Sequence, residues 1–432
     1  MALPQRKVIA ITSLGGLLEA YDFTVYAHLV AYISLVFFPA SDSTSSLINT
    51  FITFAVGYLS RPLGAIAFSH WGDRHSRKAS FTITILLMAL STMMIGLLPG
   101  YAQLGLMAPV LLALFRFIQG FSFAGEFSGA FTYLYETVPA RTQGFAVSIL
   151  GAGSLAGILL GVVVHGVLIH LLTMEQVVDW GWRVPFILGG SLGAVSYIIR
   201  RRFSEPEVFR ELVASGGVER VPVLTMLKAY KAQILTGLLL VMPVLVSVTV
   251  LVLFIPGYLT RLLDYPAREV ALANGLSMFA GVPVCLLVGW LADRVDRRYL
   301  MLGSSLLIVV TAWPLFYWYA SGEANLLVTA LLGAVLWGSI EGIALLLVVS
   351  AFPIGIRFTG TASVYNVGAM FFVGFGPVIS MGLIQVTELQ AAPAFYLIVS
   401  GLAGCLGALL ISPEQRRNAL PVNKELESTA LQ

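Results

Sequence analysis

The chain has 432 residues, of which 58% are hydrophobic and only 11% charged, with a formal net charge of +3; its mean hydropathy is +0.89. Soluble domains carry roughly 25% charged residues, so this composition excludes a soluble globule and requires a chain dissolved in lipid, spanned by helices or by a closed barrel. The apolar runs are about 20 residues long and do not alternate, which selects helices. The two cysteines, Cys285 and Cys405, lie inside apolar runs and imply neither a disulfide nor a metal framework. The first run continues past any signal-peptide core and carries acids, so no cleavable leader is expected.

In chain order the runs predict twelve transmembrane helices, over residues 8–36, 47–71, 79–98, 104–136, 142–171, 183–203, 233–261, 269–292, 299–320, 324–352, 357–387 and 393–412. Pro109, Pro243, Pro283, Pro314 and Pro377 fall within them, which neighbouring helices tolerate in a membrane. A polar connection rich in Glu, Arg, Gly and Pro divides the chain. It predicts an all-α membrane protein of two pseudo-symmetric six-helix bundles, 1–203 and 233–412, joined by a linker over 204–232 and followed by a polar tail over 413–432.

Two short motifs repeat. Asp73-Arg74-x-x-Arg77-Lys78 follows the second helix, and Asp293-Arg294-x-x-Arg297-Arg298 follows the eighth, 220 residues later. Pro139-Ala-Arg141-Thr-Gln-Gly144 follows the fourth helix, and Pro353-Ile-Gly-Ile-Arg357-Phe-Thr-Gly360 the tenth, 214 residues later. A duplicated membrane fold points to transport.

Orientation follows from the basic residues. Of 25 lysines and arginines, twenty fall at the termini and in the even-numbered connections, including the run Arg200-Arg201-Arg202, and three, Arg183, Arg261 and Arg268, on the opposite side; Arg61 and Arg116 lie within helices. This asymmetry places both termini and the linker in the cytoplasm.

With these motifs the chain resembles the major facilitator superfamily from about residue 8 to residue 412, the duplicated D-R-x-x-R being that superfamily's most specific mark. More narrowly it is similar to the metabolite:proton symporters, through LLEAYDFTVYA, FAVGYLSRPLGA, RFIQGFSFAGEFSGA, WGWRVPFILGG and SVYNVGAMFFVGFGP. The resemblance implies uptake of small organic acids, aromatic acids or zwitterions such as proline and betaine, driven by the proton gradient across a bacterial inner membrane. The sequence departs from the pattern at Ser69 and Ser76, where the superfamily loop has glycines, and at Ala124-Gly125, where the narrower family has paired glycines.

The residues themselves nominate the chemistry, because charge inside a membrane is expensive and usually functional. Glu19, Asp22 and Tyr26 share one face of the first helix. A carboxylate balanced between burial and a neighbouring arginine is a proton carrier, which makes Asp22 the first candidate for proton coupling, followed by Glu19 and Glu126. Arg116, Gln119, Phe123 and Glu126 form a polar stripe on the fourth helix. Arg116 suits a carboxylate; it binds substrate, pairs with Asp22, or does both in turn, with a fixed structural ion pair as the competing reading.

Tyr26, Gln119, Phe123, Trp337, Glu341, Tyr365 and Asn366 complete the expected substrate site, with Trp337 as an apolar wall and interhelical hydrogen bonding as the alternative for Tyr365 and Asn366. Asp73, Arg74, Arg77, Lys78, Glu136, Arg141, Asp293, Arg294 and Arg297 form an expected cytoplasmic gate. The roles of Arg61 and His165 stay open. Gly153, Gly157 and Gly161 mark close helix packing.

No HExxH, Gly-rich phosphate loop or Cys/His cluster suggests an enzyme. The expected function is therefore proton-coupled symport of a small carboxylate or zwitterion by alternating access. The expected protein is a monomer in the lipid bilayer without metal, cofactor or nucleic-acid partner. Import of amino acids or of a carboxylate-type siderophore, and proton-driven export, are the alternatives.

Overall fold

Long runs of Leu, Val, Ile and Ala can satisfy every backbone group in lipid as helices. Helices are the only regular structure among the residues that the computed structural model describes, 5–38, 53 and 56–411. In order they are α1 (Gln5–Phe37), α2 (Arg61–Arg74), α3 (Arg77–Leu97), α4 (Met107–Thr137), α5 (Gln143–Leu171), α6 (Arg183–Arg200), α7 (Lys231–Arg261), α8 (Ala267–Ala292), α9 (Arg297–Ala320), α10 (Leu326–Ser350), α11 (Ile354–Thr387) and α12 (Pro393–Leu410). Among the described residues ten helices are long and apolar enough to cross a membrane, and Met174–Gly181 with α6, bent by 41°, makes an eleventh. The remaining one, α2, continues back from Arg61 through the bonds Gly64 N to Ser60 O and Ser60 N to Val56 O. Residues 47–52, 54 and 55 of the predicted second helix lie outside the described residues, as do the tail and Arg416, Arg417 and Lys424.

The packing repeats with an offset of six helices. In the first six, α1 packs on α5, α2 on α4 and α3 on α6; in the second six, α7 packs on α11, α8 on α10 and α9 on α12. The two sets meet in the same sense, α2 against α11 and α5 against α8. Small residues set the closest approaches: a Cβ on Gly157 would lie 2.0 Å from the Leu17 carbonyl oxygen, so α1 and α5 meet only because that position has none.

Three helices of the second half are irregular. The α-helical turns of α7 give way to a π-turn over Thr249–Phe254, and those of α11 over Ala369–Val373. In α10 the first segment ends at Glu341 and the second begins at Ala344.

The connection between α6 and α7 holds two short helices, Glu207–Ala214 and Pro222–Ala229. It also docks on the bundle, because Glu205 takes the Arg77 amide (2.6 Å) and the Ser76 hydroxyl (2.5 Å) at the start of α3. Ser76, where the superfamily has glycine, is the N-cap of that helix and accepts from the Ala79 amide at 2.9 Å. Arg200 corrects the sequence reading. It was grouped with the exposed cations Arg201 and Arg202, but it is the last residue of α6 and is fully buried.

Candidate functional site

The polar residues of α1 turn inward towards α3, α4 and α6. Asp22 is buried and is reached from Arg116 by three hydrogen bonds in series. The Arg116 Nη1 donates to Gln119 Oε1 (2.6 Å), Gln119 Nε2 donates to Thr92 Oγ1 (2.6 Å), and Thr92 Oγ1 donates to Asp22 Oδ2 (2.7 Å). The expected partnership of Asp22 and Arg116 is thus carried by two intermediates, and one of them, Thr92 on α3, was not among the sequence candidates.

The chain has a fixed polarity. Arg116 can only donate, so the amide oxygen of Gln119 faces it and the amide nitrogen faces Thr92; the threonine proton then points at Asp22. Asp22 Oδ1 has no hydrogen-bond partner. It faces Gly189 of α6, where a Cβ would lie 2.3 Å from it. Tyr26 supports the other end of the series, with the Arg116 guanidinium 4.2 Å from its ring centre.

A second charged group lies about two turns further along α4. Glu126 forms a buried ion pair with Arg200 and accepts from the Thr84 hydroxyl at 2.9 Å. Arg200 also lies over the Phe81 ring at 4.0 Å. Glu19 is buried with neither carboxylate oxygen hydrogen-bonded, within Coulombic reach of Glu126, Arg61 and Arg200. Among the described residues, leaving aside the D-R-x-x-R lattice, the buried core of the first six helices therefore sets three carboxyl groups, Glu19, Asp22 and Glu126, against three arginines, Arg61, Arg116 and Arg200.

Of these three arginines, Arg61 is the one that interacts with Tyr365 of the second half. Its guanidinium carbon is 4.1 Å from the Tyr58 ring centre and 3.7 Å from that of Phe123, and it lies within Coulombic reach of Tyr365 on α11. Phe123 stacks on Phe127 (5.9 Å), and Phe127 meets Tyr365 across the halves (4.7 Å). Glu341 ends the first segment of α10 and reaches towards Gly151 of α5.

Trp337 is placed elsewhere than expected, and Asn366 takes the interhelical alternative. Trp337 is fully buried between α8 and α10, in the space left by Gly281, and donates to Ser277 Oγ at 3.3 Å; it is a packing residue within the second half and not a wall facing the first. Asn366 is fully buried and donates to the carbonyls of Ala362 (2.9 Å) and Ala124 (3.3 Å) and to Ser128 Oγ (3.3 Å), so it fastens α11 to α4. His165 of α5 packs against His28 of α1, with ring centres 5.4 Å apart.

The D-R-x-x-R end carries a lattice between the halves. Asp73 is ion-paired with Arg77, which also reaches Glu136 (3.2 Å) and donates to the Ile354 carbonyl (2.8 Å). Glu136 takes Arg357 as well, at 3.2 Å. Arg297 donates to Gln143 Oε1 at 3.4 Å and to the Ala292 carbonyl at 3.3 Å. Arg357 and Glu205 belong to this end and were not in the expected gate.

Arg74, Arg141 and Arg294 were, yet all three are exposed; Arg294 lies over Trp290 at 3.7 Å instead of joining the lattice. In both copies the aspartate closes one helix and the arginine four residues on opens the next, both turned inward, while the arginine directly after the aspartate is turned out. Lys78 is half-buried and gives its backbone amide to Glu205 at 3.3 Å.

The comparisons agree with this architecture. The Major Facilitator Superfamily profile matches residues 12–364. The proline/betaine transporter of Escherichia coli (strain K12) is 31% identical over 422 residues, covering 95% of this chain and 84% of that protein. The glycine betaine/proline/ectoine/pipecolic acid transporter OusA of Dickeya dadantii (strain 3937) is 32% identical over 419 residues, covering 94% and 83%. Among solved structures, the proton:xylose symporter XylE bound to 6-bromo-6-deoxy-D-glucose superposes with a TM-score of 0.75 at 17% identity, covering 94% of this chain and 95% of that one. FucP in the outward conformation gives 0.70 at 12% identity, covering 93% and 97%. With the duplicated loops, the six-helix repeat in packing and the match over residues 12–364, the chain belongs to the major facilitator superfamily.

Proposed function

We propose that the protein couples entry of protons to uptake of a small carboxylate or zwitterion by alternating access. The observation that carries this reading is the series Asp22–Thr92–Gln119–Arg116. With Asp22 ionised, the three buried acids balance the three buried arginines. A proton on Asp22 Oδ1, the oxygen facing Gly189, leaves one positive charge in excess around Arg116 and Arg61. A buried excess charge is costly, and a substrate carboxylate removes it. Proton and substrate therefore favour each other's binding, one proton for each carboxylate, with a coupling of ~1–3 kcal/mol.

The excess of Lys and Arg at the D-R-x-x-R end supports a cytoplasmic location for that end, both termini and the linker, in a bacterial inner membrane. The lattice there then closes the cytoplasmic side, and the described state faces outward. Residues 1–203 and 233–412 move as two bodies, with 204–232 as linker and 413–432 as tail. The protein works as a monomer and needs no cofactor beyond the proton gradient, and the transporter names of its relatives favour transport over catalysis.

The test is uptake by purified protein in sealed proteoliposomes, with glycine betaine, L-proline and a set of small organic acids. Accumulation above equilibrium under an acid-outside gradient, abolished by a protonophore, is expected for at least one of them. Accumulation that ignores the gradient and the protonophore would exclude proton coupling.

A further inference from the structure

Apart from Glu269 in the first turn of α8, Glu341 is the one acidic side chain within the second half's membrane helices. It stands at the C-terminal end of a helix segment, where α10 breaks. The carbonyls there make the site less hospitable to an anion, so a carboxylate in this place calls for a cation. The protein supplies none: among the described residues no lysine, arginine or histidine pairs with Glu341, and the titratable groups that face it are the Cys285 thiol and the Tyr365 hydroxyl. Its carboxylate points across the boundary between the halves, since a Cβ on Gly151 of α5 would lie 3.0 Å from Oε1. The group is 9% exposed, so it is not sealed.

Tyr365 connects this acid to the first half. It lies within Coulombic reach of both Glu341 and Arg61, and its ring meets Phe127, which stacks on Phe123, the residue under Arg61. An arginine on one half and an unpaired carboxylate on the other thus flank a single aromatic face. Aromatic faces attract alkylammonium groups, and Arg matches a carboxylate in shape and charge.

We propose that Arg61 and Glu341 are the two poles of one zwitterion site divided between the halves. Arg61 holds the substrate carboxylate, Glu341 holds its ammonium, and the Phe127–Tyr365 pair packs against the carbon skeleton. The charge balance agrees. The substrate carboxylate offsets the positive charge that a proton on Asp22 leaves among the buried groups of the first half, and the substrate ammonium offsets Glu341 in the second, so a zwitterion leaves both sides balanced. A simple anion satisfies the first half but leaves Glu341 unmatched. Because each pole belongs to a different half, bound substrate also draws the halves together.

This inference rests on the transport reading, and the experiment separates the two. Binding to the purified full-length protein is measured for two isosteric pairs, glycine betaine with 3,3-dimethylbutanoate and L-proline with cyclopentanecarboxylate. The parent is expected to prefer the zwitterion of at least one pair by tenfold or more. Glu341→Gln should bring that preference to near unity by weakening the zwitterion alone, and Glu341→Asp should restore part of it. Arg61→Gln should weaken both members of the pair. Melting temperatures of the variants establish that they are folded; if Glu341→Gln does not fold, Glu341→Asp is read for a reduced preference in its place.

A parent without preference for either zwitterion, or a folded Glu341 variant that keeps the full preference, overturns the proposal. If Glu341→Gln abolishes proton-driven accumulation and leaves the binding preference intact, Glu341 is a proton site and the proposal is likewise overturned. Proton-driven accumulation by the parent is scored separately, so the transport reading stands or falls on its own result.

Discussion

The Asp73 carboxylate accepts the backbone amide of Thr359 at 2.7 Å, and that of Phe358 at 3.3 Å, from the opposite half of the molecule. These are the second and third amides of the helical segment Arg357–Gly368, whose N-cap residue, Ile356, makes no side-chain cap. The other copy does the same thing. Asp293 accepts the amides of Gly144 (2.6 Å) and Phe145 (2.9 Å), the second and third of α5, whose N-cap Thr142 also makes no side-chain cap. Each repeated aspartate therefore serves as an N-cap in trans, satisfying donors that a helix start leaves free. Each cap is expected to contribute about 0.5–2 kcal/mol to the closed state at this end.

Asp73→Asn keeps the shape and removes the charge. It is expected to slow transport several-fold while leaving substrate affinity within about a factor of two, because the contact lies outside the site and biases the two states by an amount near that of one cap. Transport rate and binding at matched amounts of protein check this. An unchanged rate in both Asp73→Asn and Asp293→Asn would remove the latch.

A different expectation attaches to Arg200 and Glu126. Removing one member of a buried pair leaves an uncompensated charge and costs about 3–5 kcal/mol. Arg200→Met should accordingly lower the thermal stability in detergent strongly, and Arg200→Met with Glu126→Gln should recover much of the loss. Equal melting temperatures for the parent and Arg200→Met would show that Glu126 carries no charge there.

This pair marks the boundary of what the sequence made legible. Helix positions, the six-helix repeat and the inward acids Glu19, Asp22 and Glu126 follow from hydropathy and spacing, because in lipid those patterns have few physical solutions. Arg200 was hidden by Arg201 and Arg202: three adjacent cations at the end of an apolar run read as a solvated end. A signal was present in the helix phase, since Gly189, Gly193, Ser196 and Arg200 share one face and all are buried.

Thr92 gave less warning. Threonines in apolar helices commonly bond their own backbone, and only the packing of α3 against α1 and α4 turns this one towards Asp22. Trp337 was misplaced, and Asn366 was left between substrate contact and interhelical bonding, for a related reason: composition can say that such side chains avoid lipid, but not which buried surface they enter.

Topology can be tested at Ser215, exposed in the linker. In a background lacking Cys285 and Cys405, Ser215→Cys should resist a membrane-impermeant thiol reagent in intact cells and react in inverted vesicles. Reaction in intact cells would reverse the orientation, and with it the description of the closed end as cytoplasmic.

The proton relay makes the sharpest demand. Asp22→Asn should retain the acceptor for Thr92 on its amide oxygen and place its amide nitrogen towards Gly189, imitating a permanently protonated residue. Substrate-for-substrate exchange should survive and accumulation against a gradient should disappear. Thr92→Val preserves the volume closely but cuts the series in the middle. If Asp22 acts on Arg116 through Thr92 and Gln119, this variant should lose about 5–150-fold in the mutual enhancement of proton and substrate binding, the range that linked sites span, while still binding substrate.

Gly189→Ala tests the oxygen itself. Its Cβ would lie 2.3 Å from Asp22 Oδ1, so the carboxyl group must shift, at a cost of about 1–3 kcal/mol for overpacking, and coupled uptake should fall more than exchange does. The three variants are compared by uphill accumulation and by exchange in the same proteoliposomes. If Asp22→Asn accumulates substrate as the parent does, the proton is carried elsewhere, and Glu19, buried with both carboxylate oxygens unpartnered, becomes the next residue to replace.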